Sequence, residues 1–272
     1  LEIRGITPAK LEEIKASYME SRCLRDIMIL LAPFQITPPT ATKIYEHFGA
    51  KSVEILQKNP FELCQIPGFG FKRVDAILQK NNYPLNSPMR IQGAIFSVLD
   101  TQKNDQGHLY CESEALIVSA FKLLNERIPS PDQRVPKEAI SDALQNMILG
   151  GKVVAPQGKV YQTTSFVQED ETALKVAQML TVPAESVDIS SILEHIRSSL
   201  GIALSQRQSE AVYMAFRSNL SIITGSPGTG KTTVLRAIIE VFKYLYPDKK
   251  IVLAAPTGRA SRRMAESTGR DD

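Results

Sequence analysis

Eight consecutive residues, Gly225-Ser226-Pro227-Gly228-Thr229-Gly230-Lys231-Thr232, match the spacing G-x-x-x-x-G-K-[ST] without a gap. Glycines at this spacing let the backbone curl until several N–H groups face one anion. The helix expected to follow adds its dipole to the same point. A lysine here reaches the β- and γ-phosphates of a nucleotide as a point charge, and the Thr232 hydroxyl is a ligand for Mg²⁺. The stretch therefore reads as a nucleoside-triphosphate site built from Gly225, Pro227, Gly228, Thr229, Gly230, Lys231, Thr232 and Thr233. Lys231 and Thr232 are its candidate catalytic residues. The competing reading is a glycine-rich strand-to-helix turn that holds no ligand.

Two neighbouring stretches narrow the chemistry. Upstream, Leu204-Ser205-Gln206-Arg207-Gln208-Ser209-Glu210-Ala211-Val212 places an amide, Gln208, just before the loop. Its donor and acceptor suit the edge of an adenine ring. Ser205 and Gln208 also form S-x-x-Q, a capping box, in which Gln208 serves only its own helix. The residues leave these two roles open. Downstream, Ala255-Pro256-Thr257-Gly258-Arg259-Ala260 follows a second apolar run, at the edge of an α/β sheet where ligands collect. A Thr-Gly turn opening a helix offers N–H groups to a phosphate, and Arg259, Arg262 and Arg263 add charge. A solvated basic helix face is the plainer alternative.

Together the three stretches resemble the first motor domain of a superfamily 1 helicase. Leu204–Val212 is similar to its Q motif, Gly225–Thr232 to motif I and Ala255–Ala260 to motif Ia, in the form used by the RecD/TraA subfamily. The resemblance implies ATP and Mg²⁺ as cofactors, with Gln208 on adenine, Lys231 and Thr232 on phosphate and metal, and Thr257, Gly258 and Arg259 on a DNA strand. It implies unwinding with 5′ to 3′ travel.

A second group of residues lies near the N-terminus. Ile66-Pro67-Gly68-Phe69-Gly70 precedes Lys72 and Arg73. A Gly-apolar-Gly turn between helices lets N–H groups approach a DNA phosphate, with the two cations flanking it. The pattern is similar to the helix-hairpin-helix motif, which implies sequence-independent DNA contact at Gly68, Gly70, Lys72 and Arg73. Two related segments, GITPAKLEEI (5–14) and QITPPTATKI (35–44), precede GFGFKRVDAI (68–77) at offsets of 30 and 33 residues. Their apolar positions coincide: Ile6, Ile36 and Phe69; Leu11, Ala41 and Val74; Ile14, Ile44 and Ile77. Within each copy the last two of these positions are three apart, on one helical face. The first two copies carry Thr7, Gln35 and Thr37 in the turn, and Pro8 and Pro38 lack an N–H. They read as scaffold or as a protein-facing surface.

The elements that position these residues follow from periodicity. Each N-terminal copy reads as a turn entering a helix, and a period near thirty residues suggests stacked helical hairpins. Helices are expected at Ile91–Thr101, Ser113–Leu124 and Lys137–Leu149. A β-hairpin follows, Lys152–Ala155 and Lys159–Thr163 joined by Pro156-Gln157-Gly158. Thr172–Leu180 reads as helix and Thr181–Ser190 as a linker. Further on, Ser205–Arg217 is a helix with Ser205 as N-cap. Leu220–Thr224 and Ile251–Ala255 are expected as buried strands flanking a helix at Lys231–Tyr244, a right-handed βαβ unit. Thr257–Ser267 begins another helix. The expected fold is multidomain: an all-α tandem helix-hairpin-helix region at 1–84, a winged-helix-like α+β middle with linker at 85–200, and the start of an α/β P-loop, RecA-like motor domain at 201–272.

Composition fits this division. Of 272 residues, 43% are hydrophobic and 22% charged, which argues against wholesale disorder. Residues 1–84 carry a net +2, 85–201 a net −4 and 202–272 a net +5, so the two ends are the better phosphate surfaces. The apolar run Ile27–Leu31 is far too short to span a bilayer. Cys23, Cys64 and Cys111 are scattered and odd in number, which excludes a fully paired disulfide framework and fits a reducing cytoplasm. His47, His108 and His195 are equally scattered. The chain begins at Leu1, which reads as a piece of a longer protein.

Only 41 residues follow Lys231, and they contain no acidic strand of the kind that holds Mg²⁺ and orients the attacking water. The terminal Asp271-Asp272 is no substitute. The chain alone is therefore expected to hydrolyse ATP poorly, although its parent is read as an ATP-dependent DNA helicase of recombination or repair. The expected partners are single-stranded DNA, duplex/single-strand junctions and proteins of a repair complex, with no membrane. Two alternatives stand beside this: a non-catalytic DNA- or protein-binding module with a structural nucleotide site, and a P-loop ATPase acting on proteins.

Overall fold

Proline opens three of the N-terminal helices, because the first helical turn leaves its N–H unused in any case. In α1 (Pro8–Leu30), Pro8 follows the cap residue Thr7, whose hydroxyl accepts from Lys10 N at 3.3 Å. Pro38 opens α2 (Pro38–Phe48) and Pro88 opens α5 (Pro88–Gln106). Between them lie α3 (Ser52–Lys58), a six-residue 3-10 turn (Pro60–Gln65) and α4 (Phe71–Lys80). This is a computed structural model, and it describes residues 7–184, 187–201 and 203–268. The chain falls into two compact units, Leu1–Gln168 and Glu169–Asp272.

All three related N-terminal segments enter helices. In the second and third copies the shared apolar positions are core: Ala41, Ile44, Phe69 and Val74 are buried and Ile77 is half-buried. In the first copy Leu11 and Ile14 are 43% and 47% exposed, and Ile6 lies outside the described residues. That copy heads a helix of 23 residues whose buried side, around Ile27, comes four turns later.

The first unit has one continuous apolar core that runs from Ile27 to Val160 and includes residues of both 1–84 and 85–168. Phe61 is central to it, stacked on Phe71 at 5.4 Å and edge-on to Tyr83 at 5.8 Å. Gly93 of α5 lies so close that a Cβ there would sit 3.0 Å from the Phe61 ring. The helices α4, α5 and α6 (Ser113–Asn125) meet at Arg90, whose side chain is 1% exposed.

After α5 come β1 (Tyr110–Glu112), α6 (Ser113–Asn125), α7 (Lys137–Leu149), β2 (Val153–Val154) and β3 (Lys159–Gln162). The expected hairpin is present, shorter than its sequence pattern, with Val154 opposite Tyr161. Gln157 at φ 52° and Gly158 at φ 82° make its turn. β1 was not expected. It pairs antiparallel with β3, Cys111 opposite Val160, to give the order β1-β3-β2. The expected helix Thr172–Leu180 forms the end of α8 (Thr163–Thr181), and the unit boundary falls inside that helix.

The second unit contains α9 (Ser190–Leu200), α10 (Gln206–Ala215), α11 (Lys231–Leu245) and α12 (Gly258–Thr268). Its core joins Ile189, Leu193 and Ile196 to Val212, Val234, Ala237 and Val241. The expectation of two buried strands here is corrected. Among the described residues neither Leu220–Thr224 nor Ile251–Ala255 is paired as strand, and Ile222 and Val252 are each 76% exposed. A β-prone run becomes a strand only when a neighbour about 4.8 Å away completes its hydrogen bonds, and these two do not serve each other. Asp271-Asp272 lies outside the described residues.

Candidate functional site

The glycine loop ends where α11 begins. Gly228 and Gly230 both adopt φ 80°, and Gly230 is the N-cap of α11. A side chain at Gly230 would collide with Nε2 of Gln208, so both conformation and space restrict that position. Thr229 Oγ1 donates to Ser226 O at 2.9 Å and closes the curl. Lys231 Nζ turns into the loop and donates to Gly225 O at 2.6 Å and to Ser226 O at 2.8 Å. The ammonium therefore rests against two carbonyls of the loop itself. Thr232 is exposed, and its hydroxyl has no protein partner among the described residues. Thr233 is half-buried in the first turn beside it, and Pro227 is exposed in the loop.

Gln208 takes the capping role that its sequence context offered and adds a contact to the loop. Its Oε1 accepts from Ser205 N at 2.8 Å while Gln208 N donates to Ser205 Oγ at 3.3 Å, a complete capping box. Its Nε2 donates to Thr229 O at 3.1 Å. One amide thus ties the start of α10 to the glycine loop. The group that would face adenine already stands at the loop's edge.

At the start of α12 the Thr257 hydroxyl accepts from Ala260 N at 3.2 Å, so it caps the helix. Gly258 and Arg259 follow in the first turn, exposed. Arg259, Arg262 and Arg263 are all exposed and lie three and four residues apart, on one side of α12.

In the first unit the Ile66–Gly70 turn stands between the 3-10 turn and α4. Phe69 N donates to Ile66 O at 3.0 Å and Gly68 adopts φ 94°. Gly70 is the N-cap of α4 at φ −66°, ψ 154°, and a Cβ at either glycine would meet nothing within 4 Å. The backbone here faces open space. Arg73 folds back on this turn: its guanidinium donates to Gly68 O at 3.1 Å and lies 4.8 Å over the Phe69 ring. Lys72 points the other way and pairs with Glu126, Nζ to Oε2 at 2.7 Å. The hydrogen bond from Lys72, and then its charge, hold the Glu126 carboxyl below its ordinary value. Arg73 thus shapes the turn, while Lys72 is held by an exposed partner 54 residues away that no local pattern marks.

Among the described residues no group of His, Cys, Asp or Glu is arranged to hold a metal ion, and no helix is long and apolar enough to cross a membrane. The three cysteines are free, and burial pushes the Cys64 thiol up to about 12.

Residues 20–110 match the family described as the ATP-dependent RecD2 DNA helicase HHH domain, and residues 208–272 match the AAA domain family. Among curated relatives, the ATP-dependent RecD2 DNA helicase of Deinococcus radiodurans is 25% identical over 275 aligned residues, covering 99% of this chain and 38% of that protein. The RecBCD enzyme subunit RecD of Haemophilus influenzae is 49% identical over 61 residues, 22% of this chain and 10% of its own length. The DNA polymerase alpha-associated DNA helicase A of Saccharomyces cerevisiae is 26% identical over 112 residues, 41% of this chain and 16% of its own. The chain thus spans well under half the length of each of these relatives.

Proposed function

From the premise that this chain belongs to the RecD-like helicases, we propose that it works in an ATP-dependent DNA helicase, where residues 201–272 bind ATP and residues 1–84 contact DNA. One observation carries this reading. An intact glycine loop, with Lys231 drawn into its curl by Gly225 O and Ser226 O, shares a chain with a Gly-Phe-Gly turn that opens onto solvent.

The chain's own residues set the steps. Lys231 must leave two backbone carbonyls to meet the β- and γ-phosphates, an exchange of one set of acceptors for a more strongly charged one. Gly228 and Gly230 hold the N–H groups of the loop toward the same point. Gln208 reads adenine when its amide exchanges Ser205 N or Thr229 O for the base edge. Thr232 would hold Mg²⁺, which when bound supplies charge neutralisation at the phosphates. Thr257, Gly258 and Arg259 grip a DNA strand at the start of α12, and Gly68, Gly70, Lys72 and Arg73 grip a backbone phosphate at the hairpin turn.

The middle region, 85–200, is read as a winged-helix-like module. The order helix, strand, two helices, two strands, with β3 central in the sheet, supports that reading. Its acidic balance makes it a poor phosphate surface overall. The substrates proposed are single-stranded DNA and duplex/single-strand junctions, with 5′ to 3′ travel and a place in recombination or repair beside partner proteins. A cytoplasmic location accords with three free cysteines.

The test is thermal unfolding with and without ATP–Mg²⁺. Ligand at about 100 times its Kd stabilises the native state by roughly 2.7 kcal/mol. The wild-type chain is expected to melt higher with nucleotide, and Lys231→Ala to lose that increase. An equal increase in both proteins would refute the assignment of Lys231.

A further inference from the structure

We propose that the cleft between α4 and the loop following α6 is a second DNA-backbone site, continuous with the hairpin turn through Lys72 and gated by Glu126. The inference rests on the proposed hairpin contact and extends it to residues outside that motif.

The cleft has a volume of about 340 Å³, and its walls carry Lys72, Lys80, Arg90, Arg127, Asp75 and Glu126. Charge inside it is not what the residue list suggests. Arg90 and Asp75 are consumed by each other in a two-armed pair, Nε to Oδ1 at 2.6 Å and NH2 to Oδ2 at 2.9 Å. Glu126 is consumed by Lys72 at 2.7 Å. Lys80 and Arg127 remain. Both are exposed, and among the described residues neither makes an ion pair. Two cations outside any ion pair therefore face one cleft, with Arg127 near enough to Glu126 to help hold its carboxyl low, in a unit whose middle region is otherwise acidic.

Their placement fits a polyanion better than a single small anion. Lys72 sits in the first turn of α4 and Lys80 in its last, eight residues or about 12 Å apart along the axis. At about 3.4 Å per nucleotide, a strand stacked as in a duplex places roughly three to four steps in that length. A strand held at Gly68–Gly70 would meet Lys72 next, then the cleft. Glu126 holds Lys72 in the absence of an anion, and both partners are more than half exposed, with side chains 61% and 52% accessible. A phosphate therefore displaces Glu126 without uncovering a buried charge.

The experiment is fluorescence anisotropy of a labelled single-stranded oligonucleotide titrated with the 272-residue chain at several salt concentrations. Three variants are compared. Lys80→Gln/Arg127→Gln touches only the cleft, Gly70→Glu only the turn, and Glu126→Gln only the gate. Melting curves confirm that these exposed changes leave the fold intact. Loss of two phosphate contacts lowers the slope of log K against log salt by about 1.4, so between 50 and 200 mM salt the wild type should lose roughly sevenfold more affinity than the cleft variant. Glu126→Gln should tighten binding, roughly two- to fivefold.

Weakening by Gly70→Glu with an unchanged slope in the cleft variant overturns this proposal and leaves the hairpin contact standing. Weakening by the cleft variant alone keeps the cleft and removes the hairpin contact. An absence of DNA binding at low salt overturns both, and retention of polyglutamate by the cleft would then mark it as a protein site.

Discussion

Replacing Arg90 with methionine tests whether the hairpin helix and the middle region form one structural body. The guanidinium makes four hydrogen bonds: two to the Asp75 carboxylate, one to Leu85 O at 2.8 Å and one to Leu124 O at 2.8 Å. These acceptors belong to α4, to the segment before α5 and to α6. Methionine keeps the aliphatic stem and removes every donor. It strands a carboxylate only 14% exposed beside two carbonyls. Breaking a buried pair from one side costs about 3–5 kcal/mol. For a unit of this size that lowers the melting temperature by roughly 6–20 °C. The double change Arg90→Met/Asp75→Leu removes the stranded charge and should recover much of the loss. It should not recover all of it, because each unsatisfied carbonyl still costs about 1–3 kcal/mol. Circular dichroism melts and urea titrations of both proteins supply the comparison. A single variant melting within about 2 °C of the wild type would refute the reasoning, as would a double variant less stable than the single.

Two further outcomes follow from local geometry. Gly230→Ala places a methyl group against Gln208 Nε2 in a backbone already at φ 80°, so it should lower stability by at least about 1 kcal/mol and weaken nucleotide binding, read by denaturant titration and by the ATP-induced melting shift. Cys64, with its thiol pushed by burial from 9.0 to about 12, should resist iodoacetamide at pH 8 in the native chain and react on unfolding. Because that pKa is raised on folding, its contribution to stability is complete below pH 9 and declines as pH rises toward 12, so alkaline melts should show the loss. Alkylation of native Cys64 as fast as Cys23, followed by peptide mass, would contradict its burial.

Features coded by adjacent residues are legible in the sequence. The helix Lys137–Leu149, the Ser205 cap and the turn Pro156-Gln157-Gly158 each depend on residues a few positions apart, and each stands where its pattern put it. Strand formation depends on a partner, and there the reading failed in both directions. Leu220–Thr224 and Ile251–Ala255 have strand composition without pairing, whereas Tyr110–Glu112, too short to signal itself, pairs with β3. Leu11 and Ile14 have the spacing of a buried face, yet among the described residues they stay nearly half exposed. Arg90 looks like any solvated helix arginine in sequence, since its acceptors lie 15, 5 and 34 residues away. For Gln208 the capping role read from sequence is present, and the contact to the glycine loop, 21 residues away, is one that no local pattern marks. An amide has two ends, and the chain uses one for the cap and one for the loop.

The cations of this protein divide by what holds them, and the division separates binding groups from structural ones. Lys72 is paired to an exposed carboxylate, and exposed Lys231 is paired to two loop carbonyls. Each rests on an acceptor that water or a phosphate replaces at low cost, since an exposed contact gains little over solvation. Arg90 is the opposite case. Its side chain is 1% exposed and all of its bonds go to four acceptors of the surrounding frame. A lysine that can let go without stranding a buried charge is suited to exchange one anion for another in each cycle of binding and release. A buried arginine is suited to keep the frame still while that exchange occurs. The proposed site in the cleft beside α4 rests on the same difference, although it carries two carboxylates. One of them is locked to the frame by Arg90, and the other is held by a lysine free to exchange it for phosphate.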